Sequence, residues 1–166
     1  MSISDHIVLM KQGVKQQYDK PQRLYDEPAN QFVADFLGNP PINNVPGRFS
    51  NGRFLPDGCA ESVILSRFAD IAFDGPVNLA VRAESVIPQD APGENTLVCD
   101  IREAYKLGKD EMALVTCGST TFRVYLSADY GYKAGDRVYL NLKKRGVHLF
   151  SREDGSRLNP AADREE

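Results

Sequence analysis

The stretch Thr120-Thr121-Phe122-Arg123-Val124-Tyr125-Leu126 decides the fold class of this 166-residue chain. Its third, fifth and seventh residues are large and apolar, and a charged and a hydroxylated side chain lie between them. This alternation is the period of a β-strand that buries one face and exposes the other. The stretch therefore predicts a strand whose Tyr125 faces away from the core.

Similar runs of strand-forming residues follow one another through the rest of the chain. They lie at short spacing between turn residues: Ser62–Leu65, Val77–Arg82, Thr96–Ala104, Met112–Cys117, Arg137–Leu142 and Val147–Phe150. Short strands at this spacing are typical of a small barrel or sandwich. We therefore expect a mainly β domain over residues 39–152, followed by a frayed polar tail over residues 153–166.

The first 38 residues have a different pattern, which predicts a short α/β segment. Gly13 provides a hairpin turn between two strand-like runs, and Pro21 suits the first turn of a helix. Asn30 is placed to cap a second helix, which Gly38 ends. The predicted apolar face of that helix comprises Phe32, Val33, Phe36 and Leu37. We place a domain boundary between residues 1–38 and 39–152.

The charge balance and the cysteines exclude several classes of protein. The net charge is -3 and the pI about 5.5, which argues against a nucleic-acid partner, because phosphates need a basic surface. Three cysteines, none in a Cys-x-x-Cys pair, disfavour a disulfide framework or a zinc site. No apolar run approaches the ~20 residues that span a bilayer. We expect a soluble, cytoplasmic protein that reaches a membrane only through a partner.

The sequence contains none of the motifs that would carry catalysis. A P-loop needs a glycine-rich turn followed by Lys and Ser or Thr, whereas Gly108-Lys109 is followed by Asp110 and is interpreted as a turn between two strands. No His-Glu-x-x-His or Gly-x-Ser-x-Gly motif is present, and the two histidines, His6 and His148, each adjoin an apolar run. We expect no enzymatic activity, no cofactor and no metal site in these residues.

The string Leu24–Asn43, LYDEPANQFVADFLGNPPIN, carries a resemblance to a known family. It closely resembles the end of the nucleotide-binding domain in ATPase subunits of the carbohydrate-importing ABC transporters, the group that contains the maltose and glycerol-3-phosphate importers. The preceding Ser4–Gly13 is similar to the strand and turn that follow the family's switch histidine. The resemblance implies that residues 1–38 end a nucleotide-binding domain, whose P-loop, signature motif, catalytic carboxylates, ATP and Mg belong to an upstream part of such a subunit.

Four shorter elements extend the resemblance over the β domain. Val81–Glu84 resembles the family's Val-Arg-Pro-Glu element, and Lys133–Asp136 is similar to its Lys-Pro-Gly-Asp turn, each with Ala in place of Pro. Glu103–Gly108 resembles a Glu-x-x-Leu-Gly turn with one extra residue, and Val147–Phe150 looks like the closing His-Leu-Phe element. Together they imply the family's regulatory domain, a small barrel of the oligonucleotide/oligosaccharide-binding (OB) type, related to molybdate-binding modules and known as TOBE or MOP.

The resemblance implies partners and an interface. It implies a homodimer in which the regulatory domains stay in contact while the ATPase domains open and close, on transmembrane permease subunits at the inner face of the cell membrane. A regulatory protein or small ligand is a further partner it implies. The dimer needs an outward apolar patch, for which the candidates are Tyr105, Tyr125, Tyr139, His148 and Phe150.

Two other functions remain open from the residues. One is an independent module that binds a small oxyanion, of the molybdate type, for which Arg82, Arg123 and Lys106 are candidate cations. The other is a barrel that binds single-stranded nucleic acid, which needs a basic groove with stacking aromatics, and the acidic charge balance weighs against it.

Overall fold

A computed structural model describes residues 6–38 and 40–158 of the chain. Its N-terminal segment consists of a β-hairpin and two short helices, with the bounds β1 Ile7–Lys11, β2 Val14–Asp19, α1 Pro21–Asp26 and α2 Gln31–Phe36. Gln12 and Gly13 form the hairpin turn, both with positive φ, 51° and 80°. Positive φ at both central residues matches the right-handed twist of the strands that the turn joins.

The helix boundaries of this segment follow the local signals in the sequence. Pro21 occupies the first turn of α1, and the Asn30 side chain accepts a hydrogen bond from the Val33 amide (3.1 Å), which caps α2 as predicted. The predicted apolar face of α2 is wrong at Phe36, whose side chain is exposed, whereas Ala34 is fully buried in its place. The helix presents this smaller side chain because it packs closely on a β-sheet.

The rest of the chain forms two five-stranded antiparallel sheets. The first sheet has the order β10-β9-β8-β11-β7 and the second the order β12-β6-β3-β4-β5. The bounds of their strands are β3 Asn43–Ser50, β4 Arg53–Pro56, β5 Val63–Ile64, β6 Asp74–Val81, β7 Val86–Gln89, β8 Thr96–Leu107, β9 Asp110–Cys117, β10 Thr120–Ser127, β11 Arg137–Leu142 and β12 Val147–Ser151. Two single-turn 3-10 helices, Ser66–Phe68 and Ala128–Tyr130, lie between strands.

The two sheets enclose one apolar core. Phe122, Val124 and Leu126 of β10 are buried in it, as their alternation predicts. The sheets also meet at their edges, where the Tyr125 amide donates to the carbonyl oxygen of Ala83, just after β6 (2.9 Å). The predicted fold class, mainly β with a small barrel-like domain after a short α/β segment, is confirmed.

The sequence patterns did not predict three of the strands, β3, β4 and β7. In β3, Pro46 and Gly47 weaken the strand signal, because both residue types are depleted in strands. The structure requires glycine there, since a Cβ on Gly47 would lie 2.3 Å from the carbonyl oxygen of Leu55 on β4. The predicted turn at Gly108-Lys109 is confirmed between β8 and β9.

The prediction of a frayed tail is wrong for residues 153–158. The Gly155 carbonyl accepts a hydrogen bond from the Gln31 amide (2.9 Å), and the Leu158 amide donates to the Leu149 carbonyl (2.8 Å). These bonds hold the tail against both α2 and β12. Residues 159–166 lie outside the described part of the chain, as do residues 1–5 and 39.

Candidate functional site

The outer face of the first sheet carries a row of large side chains. The register places Tyr125 of β10 opposite Met112 of β9, and Met112 opposite Tyr105 of β8. Directly opposed residues share a face of the sheet, with Cβ atoms about 5 Å apart, so the three side chains are neighbours. We call Tyr105, Met112 and Tyr125 the outer row. Two tyrosines around a methionine suit the centre of a protein interface, where these residue types are enriched.

Tyr105 is the most exposed residue of the outer row. Tyr105 is 49% exposed, and its hydroxyl donates to a Glu103 carboxylate oxygen (2.5 Å), while Met112 and Tyr125 are half-buried. The sequence patterns missed Met112. The alternation of side chains along β9 could have predicted its outward position, since the even-numbered residues of this strand face outward.

Tyr139 lies on the same sheet but apart from the outer row. It is half-buried on β11 and pairs with Val98 of β8. Val98 is seven residues from Tyr105 along β8, a distance of roughly 20 Å in an extended strand. The sheet therefore carries Tyr139 and the outer row as two separate apolar groups.

The prediction that Phe150 faces outward is wrong, and His148 is buried with it. Phe150 is fully buried in a cluster with Ala34 of α2, Ile42 and Ala80 of β6, and His148 is 3% exposed. All five residues of β12 are buried, because the core covers one face of the strand and the N-terminal segment covers the other. Of the five predicted interface residues, the structure thus brings Tyr105 and Tyr125 together on an outer face, whereas His148 and Phe150 lie together but are buried.

The N-terminal segment and the second sheet meet in a contact that we call the junction. Arg82, which follows β6, lies at its centre and is 1% exposed. Its Nη1 donates to the Leu37 carbonyl (2.7 Å), its Nη2 donates to the Tyr25 carbonyl (3.4 Å), and its guanidinium lies 4.1 Å from the Tyr25 ring centroid. Burial lowers the pKa of Arg82 from its ordinary value. Arg82, one of the candidate cations for a small oxyanion, is therefore buried in the junction, where it joins the two parts of the chain.

Tyr25 makes a second contact across the junction. Its hydroxyl donates to a Glu84 carboxylate oxygen (2.5 Å). Burial, and next the Glu84 carboxylate, raise the pKa of Tyr25 to about 12, so the phenol stays protonated and remains a donor. Tyr25 belongs to the string LYDEPANQFVADFLGNPPIN, and Arg82 and Glu84 belong to the Val81–Glu84 element. Two of the stretches that carry the resemblance are thus in direct contact.

A third contact joins α1 to the loop before β12. Arg145 donates to both carboxylate oxygens of Asp26, from Nε at 3.0 Å and from Nη2 at 2.7 Å. Burial raises the pKa of Asp26, but the hydrogen bonds from Arg145 and Gln22 outweigh it and hold this pKa below its ordinary value. A two-pronged guanidinium–carboxylate pair fixes the relative orientation of its two segments.

A cavity of about 230 Å³ opens beside this pair. Its charged lining residues are Asp26, Glu27, Arg67, Lys144, Arg145 and Arg157, and His148 also lines it. Burial, and next the charges of Arg157, Arg67 and Arg82, lower the pKa of His148 to about 3, against the opposing effect of Asp26. The imidazole is therefore neutral at physiological pH.

The three cysteines lie together at a different place. Cys99 and Cys117 are buried on neighbouring strands, and the half-buried Cys59 lies beside Cys117. Burial, and next Cys117, raise the pKa of Cys59 to about 11. All three are free thiols in the structure.

The described residues contain neither a metal-ligand cluster nor a helix that could span a membrane. Within residues 6–38 and 40–158, no three side chains of His, Cys, Asp or Glu are grouped so that they could hold a metal ion. In the same part of the chain, neither helix has the length and apolar character needed to cross a bilayer.

Comparisons with known proteins give relatives over nearly the whole chain. It is 32% identical over 158 residues to the sn-glycerol-3-phosphate import ATP-binding protein UgpC of Jannaschia sp., covering 95% of this chain and 43% of that protein. The UgpC of Shigella boydii is 31% identical over 161 residues, with 95% and 44% covered. The uncharacterized ABC transporter ATP-binding protein YcjV of an Escherichia coli strain is 29% identical over 157 residues, with 92% and 43% covered.

No protein-family model matches the chain. A solved structure of the cytoplasmic molybdate-binding protein ModG, with molybdate bound, superposes with a TM-score of 0.48 at 15% sequence identity, covering 64% of this chain and 94% of that one. The chain spans less than half the length of the curated relatives it matches. It belongs to the same family as the ATP-binding proteins of ABC transporters, the sn-glycerol-3-phosphate importers among them, as the string from Leu24 to Asn43 predicted.

Proposed function

We propose that this chain is the regulatory and dimerisation part of the ATP-binding subunit of an ABC importer for sugars or glycerol-phosphate-like solutes. The observation that carries the proposal is the junction. Arg82, Tyr25 and Glu84 lock the N-terminal segment to the barrel through contacts between parts of the chain 45 to 59 residues apart. A signal received by the barrel can bias an ATPase domain only if the two parts move together, and this packing supplies that coupling.

The hairpin and α2 offer a surface for the remainder of such a subunit. Large apolar side chains are exposed there, namely Val8, Met10, Val14, Tyr18 and Phe36. Exposed apolar groups of this size mark contact surfaces, and the relatives have more than twice the length of this chain. In the proposed subunit, the ATP- and Mg-binding part packs here, and it also contacts the permease at the inner face of the membrane. The present residues hydrolyse no ATP by themselves.

The outer row is the proposed centre of the dimer contact. In a two-fold interface the same patch faces itself, so Tyr125 of each copy meets the outer row of the other. The flanking β9 and β8 residues Leu114 and Leu107, one half-buried and the other 53% exposed, extend the apolar area. A stable interface needs about 800 Å² from each partner, and the outer face of this sheet provides the flat surface for it.

Sedimentation of the purified chain tests the proposal. We expect wild-type protein to form dimers at micromolar concentration, and Tyr125→Asp to shift it to monomers, because a charge would be buried at the centre of the contact. Ser62→Asp is the control, since Ser62 is exposed just before β5 of the second sheet, away from the outer row. A wild-type chain that stays monomeric, or equal dissociation of both variants, would refute the proposed dimer. ATP hydrolysis above background by the chain alone would refute its non-catalytic role.

A further inference from the structure

We infer that the outer face of the first sheet pairs with a second copy of this chain about a two-fold axis parallel to β9, with Arg123 of each copy opposite Glu103 of the other. The inference rests on the proposed dimer contact and adds to it the orientation of the two copies and the ion pairs that set this orientation. The two charged residues lie in one row of the sheet, next to the outer row. The register pairs Arg123 of β10 with Leu114 of β9, and Leu114 with Glu103 of β8.

Neither charge of this row is neutralised within the described part of the chain. Both side chains are exposed, and among the described residues no carboxylate pairs with Arg123 and no cation pairs with Glu103. Glu103 accepts a hydrogen bond from the neutral Tyr105 hydroxyl, which leaves the carboxylate charge in place. In the next row, by contrast, Arg137 and Asp100 pair with each other at 3.1 Å. The row thus presents a positive charge on β10 and a negative charge on β8, two strands or about 10 Å apart.

The strand between these charges is apolar on its outward side. Leu114 and Met112 of β9 are both half-buried there, and the two tyrosines of the outer row flank Met112. Arg102, which the β-bulge in β8 inserts before the charged row, has no partner in the register and lies outside that row. A half-turn about an axis along β9 exchanges the positive and the negative side of the face. The face is therefore complementary to itself, as a two-fold interface requires, whereas a partner of uniform charge would meet one of the two residues with a like charge.

The charges distinguish between the two ways of placing a two-fold axis between facing sheets. An axis along β9 sets β10 of one copy over β8 of the other, so that Arg123 faces Glu103 twice in each dimer and Leu114 meets its own copy. Facing sheets lie about 10 Å apart, a gap that these two long side chains span together. An axis across the strands sets β10 over β10 and β8 over β8, which gathers like charges on each side. Like charges held together across an interface lower the affinity of that arrangement, so the first orientation is favoured.

Charge reversal tests the two ion pairs. Arg123→Glu and Glu103→Arg each turn both symmetry-related pairs into like-charge contacts, so each single variant should dimerise at least about tenfold more weakly than wild type in sedimentation equilibrium. The double variant restores opposite charges and should recover the wild-type dissociation constant to within about threefold. Arg53→Glu and Glu61→Arg are the matched controls. They make the same charge changes at exposed residues in and beside the second sheet, and they should leave dimerisation unchanged.

Cysteine cross-linking tests the orientation independently of charge. An equimolar mixture of Arg123→Cys and Glu103→Cys should form a disulfide between the two variants on oxidation with diamide. Neither variant alone should cross-link beyond the background of the wild-type chain, which has three thiols of its own. The reason is distance: a disulfide needs Cβ atoms about 4 Å apart, and an axis along β9 keeps equal positions on β10 at least two strands, about 10 Å, from each other.

The outcomes separate the inference from the proposed function. A disulfide between two copies of Arg123→Cys, or no cross-link in the mixture, would overturn the inferred orientation. Single charge reversals without effect, or a double variant as weak as the single ones, would overturn the ion pairs. In each of these cases, a wild-type dimer that Tyr125→Asp dissociates leaves the proposed dimer standing. A wild-type chain that stays monomeric would overturn both.

Discussion

The Phe150→Ala variant should show how much the packing of the N-terminal segment on β12 contributes to the free energy of unfolding. Phe150 is fully buried between β12 and α2, in contact with a cluster that includes Ala34 and Ala80. Phe→Ala changes at such sites cost about 3–5 kcal/mol, because transfer free energy is lost and a cavity remains. A domain of this size is stabilised by about 5–15 kcal/mol, so the variant should fold but be much weaker.

Urea denaturation followed by circular dichroism measures this effect. With a urea dependence of about 2 kcal/mol per molar, a loss of about 4 kcal/mol lowers the unfolding midpoint by about 2 M. Phe36→Ala is the matched control, since Phe36 is the same residue type at the end of α2 but is 63% exposed. It should change the free energy of unfolding by less than about 0.5 kcal/mol.

A Phe150→Ala midpoint equal to that of Phe36→Ala would contradict this prediction. It would mean that the N-terminal segment does not cover β12 in solution, and the coupling on which the proposed function rests would be lost. If Phe150→Ala fails to fold, Phe150→Leu provides the same comparison with a smaller loss, about 1 kcal/mol.

Two buried groups and one tight turn can each be tested by a single measurement. The pKa of His148 is about 3 in the folded chain and about 6.5 in the unfolded chain, so the unfolded chain gains a proton first as the pH falls. This difference should lower the free energy of unfolding by about 2 kcal/mol between pH 7.5 and pH 5. The His148→Gln variant should lose this part of the pH dependence, and a pH dependence equal to that of the wild type would contradict the burial of His148. Gly146→Ala should destabilise by more than Gly131→Ala in thermal melts, since both have positive φ but only at Gly146 would a Cβ lie 2.0 Å from Ser85 Oγ; equal melting temperatures would contradict this contact. Cys59, with a pKa of about 11, should react with iodoacetamide at pH 8 on the order of 100-fold more slowly than a free thiol. Mass spectrometry of the alkylated protein measures this rate, and a rate equal to that of a free thiol would contradict the raised pKa.

Much of the local structure could be predicted because it depends on residues close in sequence. The alternation in β10 determines which side chains enter the core, and Asn30 and Gly13 specify a helix cap and a hairpin turn by their own chemistry. These signals require no knowledge of the distant chain. The family resemblance was likewise readable from the contiguous string Leu24–Asn43.

The candidate interface was only partly predictable. Alternation correctly directs Tyr125 outward, but it cannot specify that Met112 and Tyr105 lie beside it, because pairing register is a property of two strands together. Alternation also fails at Phe150, since it distinguishes two faces of a strand without saying whether another element covers the second face.

Strand faces, turns, helix caps and the family of this protein could all be read from the order of its amino acids. The folded chain was needed to show that Arg82 is buried, that β12 is covered on both sides, and that Asp26 and Arg145, which are 119 positions apart, form a paired contact. The difference comes from the range of the interactions. Caps and alternation act within a few residues, whereas burial and charge clustering depend on which distant segments pack together, and a single sequence does not state those distances.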